Sequence, residues 1–134
     1  MREILFRGLD IDGSKWHYGH YYKGVMSEVE PRIVRVIIVD GTFYHVIPET
    51  IGQYTGLKDK NGVRIFEGDI AKFVFKNAHI VFYEGGFGWV YAGGNLIEDF
   101  IPFSGHNSFP MVMNRIEIIG NIHQSPELLE ATNN

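Results

Sequence analysis

Cysteine is absent from the 134 residues. That removes a disulfide framework and all thiolate chemistry. Long apolar runs are missing too. Stretches such as Val36–Val39 fall far short of the ~20 residues that span a bilayer. The opening MREILFRGLD lacks the apolar core of a signal peptide, so the expected compartment is the cytoplasm and no membrane partner is expected. Basic residues are few. Lys and Arg number 12 against 16 Asp and Glu, the net charge is −4, and the pI is about 5.8. Phosphate binding rests on clustered Lys and Arg that release counterions, and no such run occurs, so nucleic acid is not an expected general partner. The acidic excess is also too mild for a DNA mimic, which needs a dense acidic face.

Hydrophobic residues make up 45% and charged residues 21%, the usage of a folded globular domain. The length suits one domain with its own core. Sixteen glycines and 14% aromatics point to strands and turns. Glu3–Leu9 and Trp16–Tyr22 are strand-like on either side of the turn cluster Asp10–Ser14, and form an expected hairpin. Arg32–Val39 and Thr42–Ile47 flank Asp40-Gly41, the strongest short hairpin signal here, because a type I′ turn needs positive φ twice. Both sides of the first strand are apolar enough for both faces to be covered. Pro48 ends the hairpin.

Asp59–Gly62 is the next turn, with strands Val63–Phe66 and Ile70–Phe75 around Glu67-Gly68-Asp69. His79–Tyr83 and Phe87–Tyr91 flank Glu84–Gly86 as a further hairpin. Residues 93–114 read as irregular, and Arg115–His123 as a strand broken at Gly120. Ser125-Pro126-Glu127 reads as the start of a short helix ending near Ala131, with a capping Ser, Pro at the first helical position and Glu facing the helix dipole.

No pattern carries obvious chemistry. Glu67 and Asp69 would share a strand face, yet nothing gives them the unequal surroundings of an acid–base pair. A turn with a bulged Gly68, its acids bonding backbone amides, is the better reading. His17 and His20 would point to opposite faces of a strand. His45, His79, His106 and His123 are scattered, so no metal site is expected. Asp10–Ser14 lacks the glycine and the closing acid of a calcium loop in their places. No nucleophile elbow, phosphate loop or dinucleotide fingerprint occurs, and no cofactor is expected. Trp16, Tyr18 and Tyr22 would share one strand face, a candidate protein-contact patch; core packing is the competing reading.

Phe6-Arg7-Gly8, Trp16 with Tyr18-Gly19, Lys58–Gly62, Ile65–Ile70 and Pro126–Leu129, taken together, resemble the YopX family of phage and prophage proteins. Arg2 with Phe6-Arg7-Gly8, and Trp16 with Tyr18-Gly19, are similar to its opening strands. Glu49–Leu57 is similar to the run into its central motif, which continues through Lys58–Gly62 and Ile65–Ile70. Phe66 stands where the family pattern usually has Tyr. Glu117, Ile119–Ile122 and Pro126–Leu129 are similar to its closing segment. The resemblance marks Thr55, Gly56, Leu57, Asp59, Gly62, Glu67, Gly68, Asp69, Gly120 and Asn121 as motif residues. It implies a mainly β protein of short antiparallel strands whose C-terminal part is a small SH3-like barrel.

The expectation is thus a single domain, with an N-terminal hairpin region over 1–50 and a small-barrel region over 51–134. The expected role is a phage-encoded, non-enzymatic protein-binding or assembly module that forms a homo-oligomer, since exposed strand edges need pairing. The alternative is a nucleic-acid-associated accessory factor that stacks bases on aromatics, which the acidic charge disfavours.

Overall fold

The computed structural model describes residues 3–25, 32–73, 76–103 and 115–130. They belong to two compact units, 1–54 and 55–134.

In the first unit, β1 (Phe6–Leu9) pairs antiparallel with β2 (Trp16–Val25). Asp12 closes the turn between them. Its carboxylate accepts the Ser14 hydroxyl at 2.6 Å and the Ser14 amide at 2.9 Å, which hold the carboxyl below its ordinary pKa. This is a solvated turn, as the sequence indicates. β2 pairs with β3 (Ile33–Val39), and β3 with β4 (Thr42–His45). The Asp40-Gly41 turn has φ of 49° and 83°, the double positive value its sequence demands.

The second hairpin strand ends at His45, two residues short of its expected end. Val46, whose amide still donates to the Arg35 carbonyl at 3.4 Å, also bridges to Asp10, and the Ile47 amide donates to the Leu9 carbonyl at 2.8 Å. The chain thus turns a corner and runs back beside β1. Gly8 makes this approach possible, because a Cβ there would lie 2.8 Å from a Val46 methyl. Thr50 fixes the corner: its hydroxyl accepts the Leu9 amide and donates to the Ile47 carbonyl. β5 (Gly52–Lys58) then pairs with β1. Val36 and Ile37, consecutive and on opposite faces, are both fully buried.

In the second unit, the later part of β5 pairs with β6 (Arg64–Phe66). β7 (Asp69–Lys72), β8 (Asn77–Tyr83), β9 (Gly86–Tyr91), β10 (Ile101–Pro102) and β11 (Glu117–Asn121) form an antiparallel sheet in the order β10-β9-β8-β7-β11. This sheet is open, ending at β10 and β11, so its pairing does not give the closed SH3-like barrel expected for this part. Ile65, Ala71, Ala78, Ile80, Trp89, Phe103 and Ile116 form its core. β7 ends at Lys72; Val74 and Phe75, expected to extend it, lie outside the described residues, as do 104–114 of the irregular stretch.

Two local expectations need correcting. The segment after Ser125 is a 3-10 turn, Pro126–Leu129, not a helix. Ser125 has φ −136° and ψ 48° and makes no side-chain cap, so the motif supplies a turn only; Ala131 lies outside the described residues. Within the stretch read as irregular, a single α-helical turn, α1 (Leu96–Asp99), is capped by Asn95, whose side chain accepts the Glu98 amide and donates to the Glu98 carboxylate. Among the described residues no helix is long and apolar enough to cross a membrane.

Candidate functional site

Asp59 shows what the motif residues do. Its side chain is buried, and its Oδ1 accepts the Asn61 and Val63 amides at 2.8 and 2.9 Å. Oδ2 accepts the amide of Ile118, at 2.9 Å. One carboxylate thereby closes its own turn and fixes a strand far along the chain. Gly62 completes the turn with φ 82°. The neighbouring Lys60 amide donates to the Ile116 carbonyl, and Lys60 Nζ lies 3.9 Å from Glu117.

The other motif residues act the same way. The Thr55 hydroxyl donates to the Ile65 carbonyl at 2.8 Å and accepts the Leu57 amide. Gly56 has φ 91°, and Leu57 packs against the core. Glu67 and Gly68 form the turn between β6 and β7. Gly68, at φ 95°, donates to the Ile80 carbonyl and accepts the Ile122 amide. Asp69 is buried and accepts the Phe66 amide at 2.8 Å. Glu67 is half-buried, so the two acids are not a matched pair on one strand face. Gly120 takes part in a register shift of β11. Asn121 Oδ1 accepts the His123 and Gln124 amides.

The aromatic candidates lie on β2. Its residues alternate, with His17 buried and Tyr18 and Tyr22 45% and 39% exposed. Trp16 is half-buried, with the Arg7 guanidinium 4.3 Å above its ring. Cross-strand pairing puts Phe43, 44% exposed, on the same side through Ile38 and His20. Sequence reading missed Phe43. Its signal was the Asp40-Gly41 turn, which fixes the register and hence the face.

The described histidines sit in separate settings. His17 stacks on Tyr44 at 3.9 Å, with Nε2 3.5 Å from Asp10. His20 and His45 are exposed, and His106 lies outside the described residues. His79 is desolvated, which pushes its imidazole below its ordinary pKa. Among the described residues no cluster of His, Asp and Glu could hold a metal ion. An open cleft near α1, lined by Lys76, Tyr91, Glu98, Asp99 and Phe100, has Asp99 Oδ2 engaged with the Asn95 amide.

Fold and site together define a β-rich protein whose marked polar residues hold backbone in the second unit and whose first-unit sheet carries exposed aromatics. A family model described as YopX protein matches residues 5–130, and the chain belongs to the YopX family. Among solved structures, the chain is similar to the crystal structure of protein EF1440 from Enterococcus faecalis, at 25% identity and a TM-score of 0.54, over 97% of this chain and 100% of that one. No curated protein matches it.

Proposed function

We propose that the chain is a non-enzymatic protein-binding or assembly module, encoded by phage or prophage and acting in the cytoplasm of a bacterial host. One observation carries this reading. The polar motif side chains of Thr55, Asp59, Asp69 and Asn121 are engaged in holding the fold, while Tyr18, Tyr22 and Phe43 stand exposed on one sheet face. Aromatic side chains so placed are natural anchors for a protein partner. Family membership supports the phage setting. A small SH3-like character for the second unit, with an open rather than closed sheet, belongs to the same proposal.

The test is a pull-down from host cells with the wild type and with a Tyr18→Ser, Tyr22→Ser, Phe43→Ser triple variant of unchanged melting temperature. The same protein should be captured by the wild type and lost by the variant. Equal capture by both overturns the reading. A nucleic-acid gel shift that weakens steeply with salt would instead favour base stacking on the same aromatics.

A further inference from the structure

Four asparagines lie among the described residues, and three have engaged side chains. Asn77 Nδ2 donates to the Leu128 carbonyl at 2.9 Å. Asn95 caps α1, and Asn121 Oδ1 accepts the His123 and Gln124 amides. Asn61 differs. Among the described residues its side chain makes no hydrogen bond, and it stands exposed in the Asp59–Gly62 turn. The residue that follows differs too. Asn77, Asn95 and Asn121 precede Ala78, Leu96 and Ile122, whereas Asn61 precedes Gly62. Gly62 has no Cβ to hinder approach of its nitrogen, and the space where one would sit is open.

A free carboxamide beside an unhindered backbone nitrogen is the setting for an intramolecular reaction. The Gly62 nitrogen attacks Asn61 Cγ. A bond forms between them, the Cγ–Nδ2 bond breaks, and the proton given up by the Gly62 amide leaves with ammonia. Water then opens the cyclic imide at either carbonyl, leaving aspartate or isoaspartate. Water is the one co-reactant.

The fold holds this reaction back. The Gly62 amide donates to the Asp59 carbonyl at 3.0 Å, and the Asn61 amide is held by Asp59 Oδ1 at 2.8 Å. The Gly62 nitrogen must leave its bond and lose its proton before it can close on Cγ. The same Asp59 carboxylate accepts the Ile118 amide, so closure of the turn and docking of β11 share one group.

We propose that Asn61 is a self-modification site gated by the Asp59 turn, and that its conversion releases β11. Isoaspartate adds a methylene to the main chain inside the loop that Asp59 closes, so the bonds to Gly62 and Val63 lose their spacing. Either product adds a carboxylate to the turn that already holds the Asp59 charge, and like charges in one site oppose each other. Both changes disturb the acceptor used by Ile118. This site is separate from the aromatic surface of the first unit and does not depend on it.

The full chain is incubated at mildly alkaline pH, and the peptide spanning position 61 is followed by mass spectrometry after chromatographic separation of aspartate from isoaspartate. The wild type should accumulate both products at position 61 ahead of Asn77, Asn95 and Asn121. The folded chain should convert at least about tenfold more slowly than the same chain in urea, the factor that a local closing energy of about 1.4 kcal/mol supplies. Asp59→Ala, or Asp59→Asn where the first has melted, should convert several-fold faster than the folded wild type. Asn61→Gln, whose longer side chain closes the ring poorly, should form no isoaspartate and keep the wild-type melt. Converted wild type, separated by its added charge, should show a fast-exchanging Ile118 amide and a lower melt. Absence of product at position 61 in the folded chain overturns the proposal. Equal rates in the folded chain and in urea overturn the gating, and a converted chain with a protected Ile118 amide overturns the release of β11.

Discussion

The Asp59 carboxylate accepts the Ile118 amide at 2.9 Å although 59 residues separate them. It simultaneously closes the turn that holds Asn61 and Val63. An aspartate that binds three backbone amides while buried is a structural pin. Removing it leaves donors without a partner, the expensive side of hydrogen bonding.

Asp59→Ala should therefore destabilise by about 3–5 kcal/mol, in the tail reserved for broken buried networks. Urea denaturation reads this directly. A loss below about 1 kcal/mol, the ordinary surface-to-core average, would show that water replaces the carboxylate without penalty.

Gly68 sits at φ 95° and bonds through its backbone to Ile80 and Ile122. Gly68→Val should cost on the order of 1–3 kcal/mol, because a β-branched residue there strains the backbone. Glu67→Gln, one residue away, should change stability by no more than a few tenths of a kcal/mol. Melting curves in which the order is reversed would restore a functional role to the acid.

Trp89 and Trp16 should separate cleanly. Trp89 is 2% exposed at the centre of the second-unit core, so Trp89→Ala should cost about 3–5 kcal/mol. Trp16, half-buried under Arg7, should lose only about 1–2 kcal/mol, a partial burial term plus a cation–π contact. Comparable losses at both would make Trp16 a core residue.

His79 predicts a pH dependence. Its Nδ1 is buried without a hydrogen-bond partner among the described residues, and burial lowers its pKa below 6.5. The unfolded chain therefore takes up the proton first as pH falls. The contribution is absent well above pH 6.5, and stability declines from that value down to the depressed folded pKa. His79→Leu should remove this part of the slope. Identical slopes for wild type and variant between pH 7 and 5, the window in which histidine titrates, would rule it out.

What was legible in the sequence was local. Asp40-Gly41 announces a hairpin because both residues suit the positive φ that its turn requires, and Gly85-Gly86 between strand-like runs marks the next, with Glu84 itself at φ 54°. The α1 turn was missed: Asn95-x-x-Glu98 is a capping pattern, but its single turn lies in a Gly- and Asn-rich stretch that reads as irregular. The Ser125 signal promised more than it gave: without the cap bond, proline and serine suit a turn as well as a helix. The Asp59–Ile118 bond and the corner from Val46 to Asp10 were not legible, because neither composition nor period encodes a partner dozens of residues away. The open edges of the second sheet were lost with them.

The place of β11 in its sheet has a consequence for how the chain is made. Every strand pair of the first unit lies within residues 6–53, so that unit has all its partners early in synthesis. The second cannot settle until β11 arrives beside β7, and Asp59 waits for Ile118 throughout. Until then β7 has one unpaired flank, the condition in which growing chains aggregate. A chain truncated before Glu117 should thus keep a protease-resistant first unit and a digestible second, and equal resistance of both would show that β11 is dispensable.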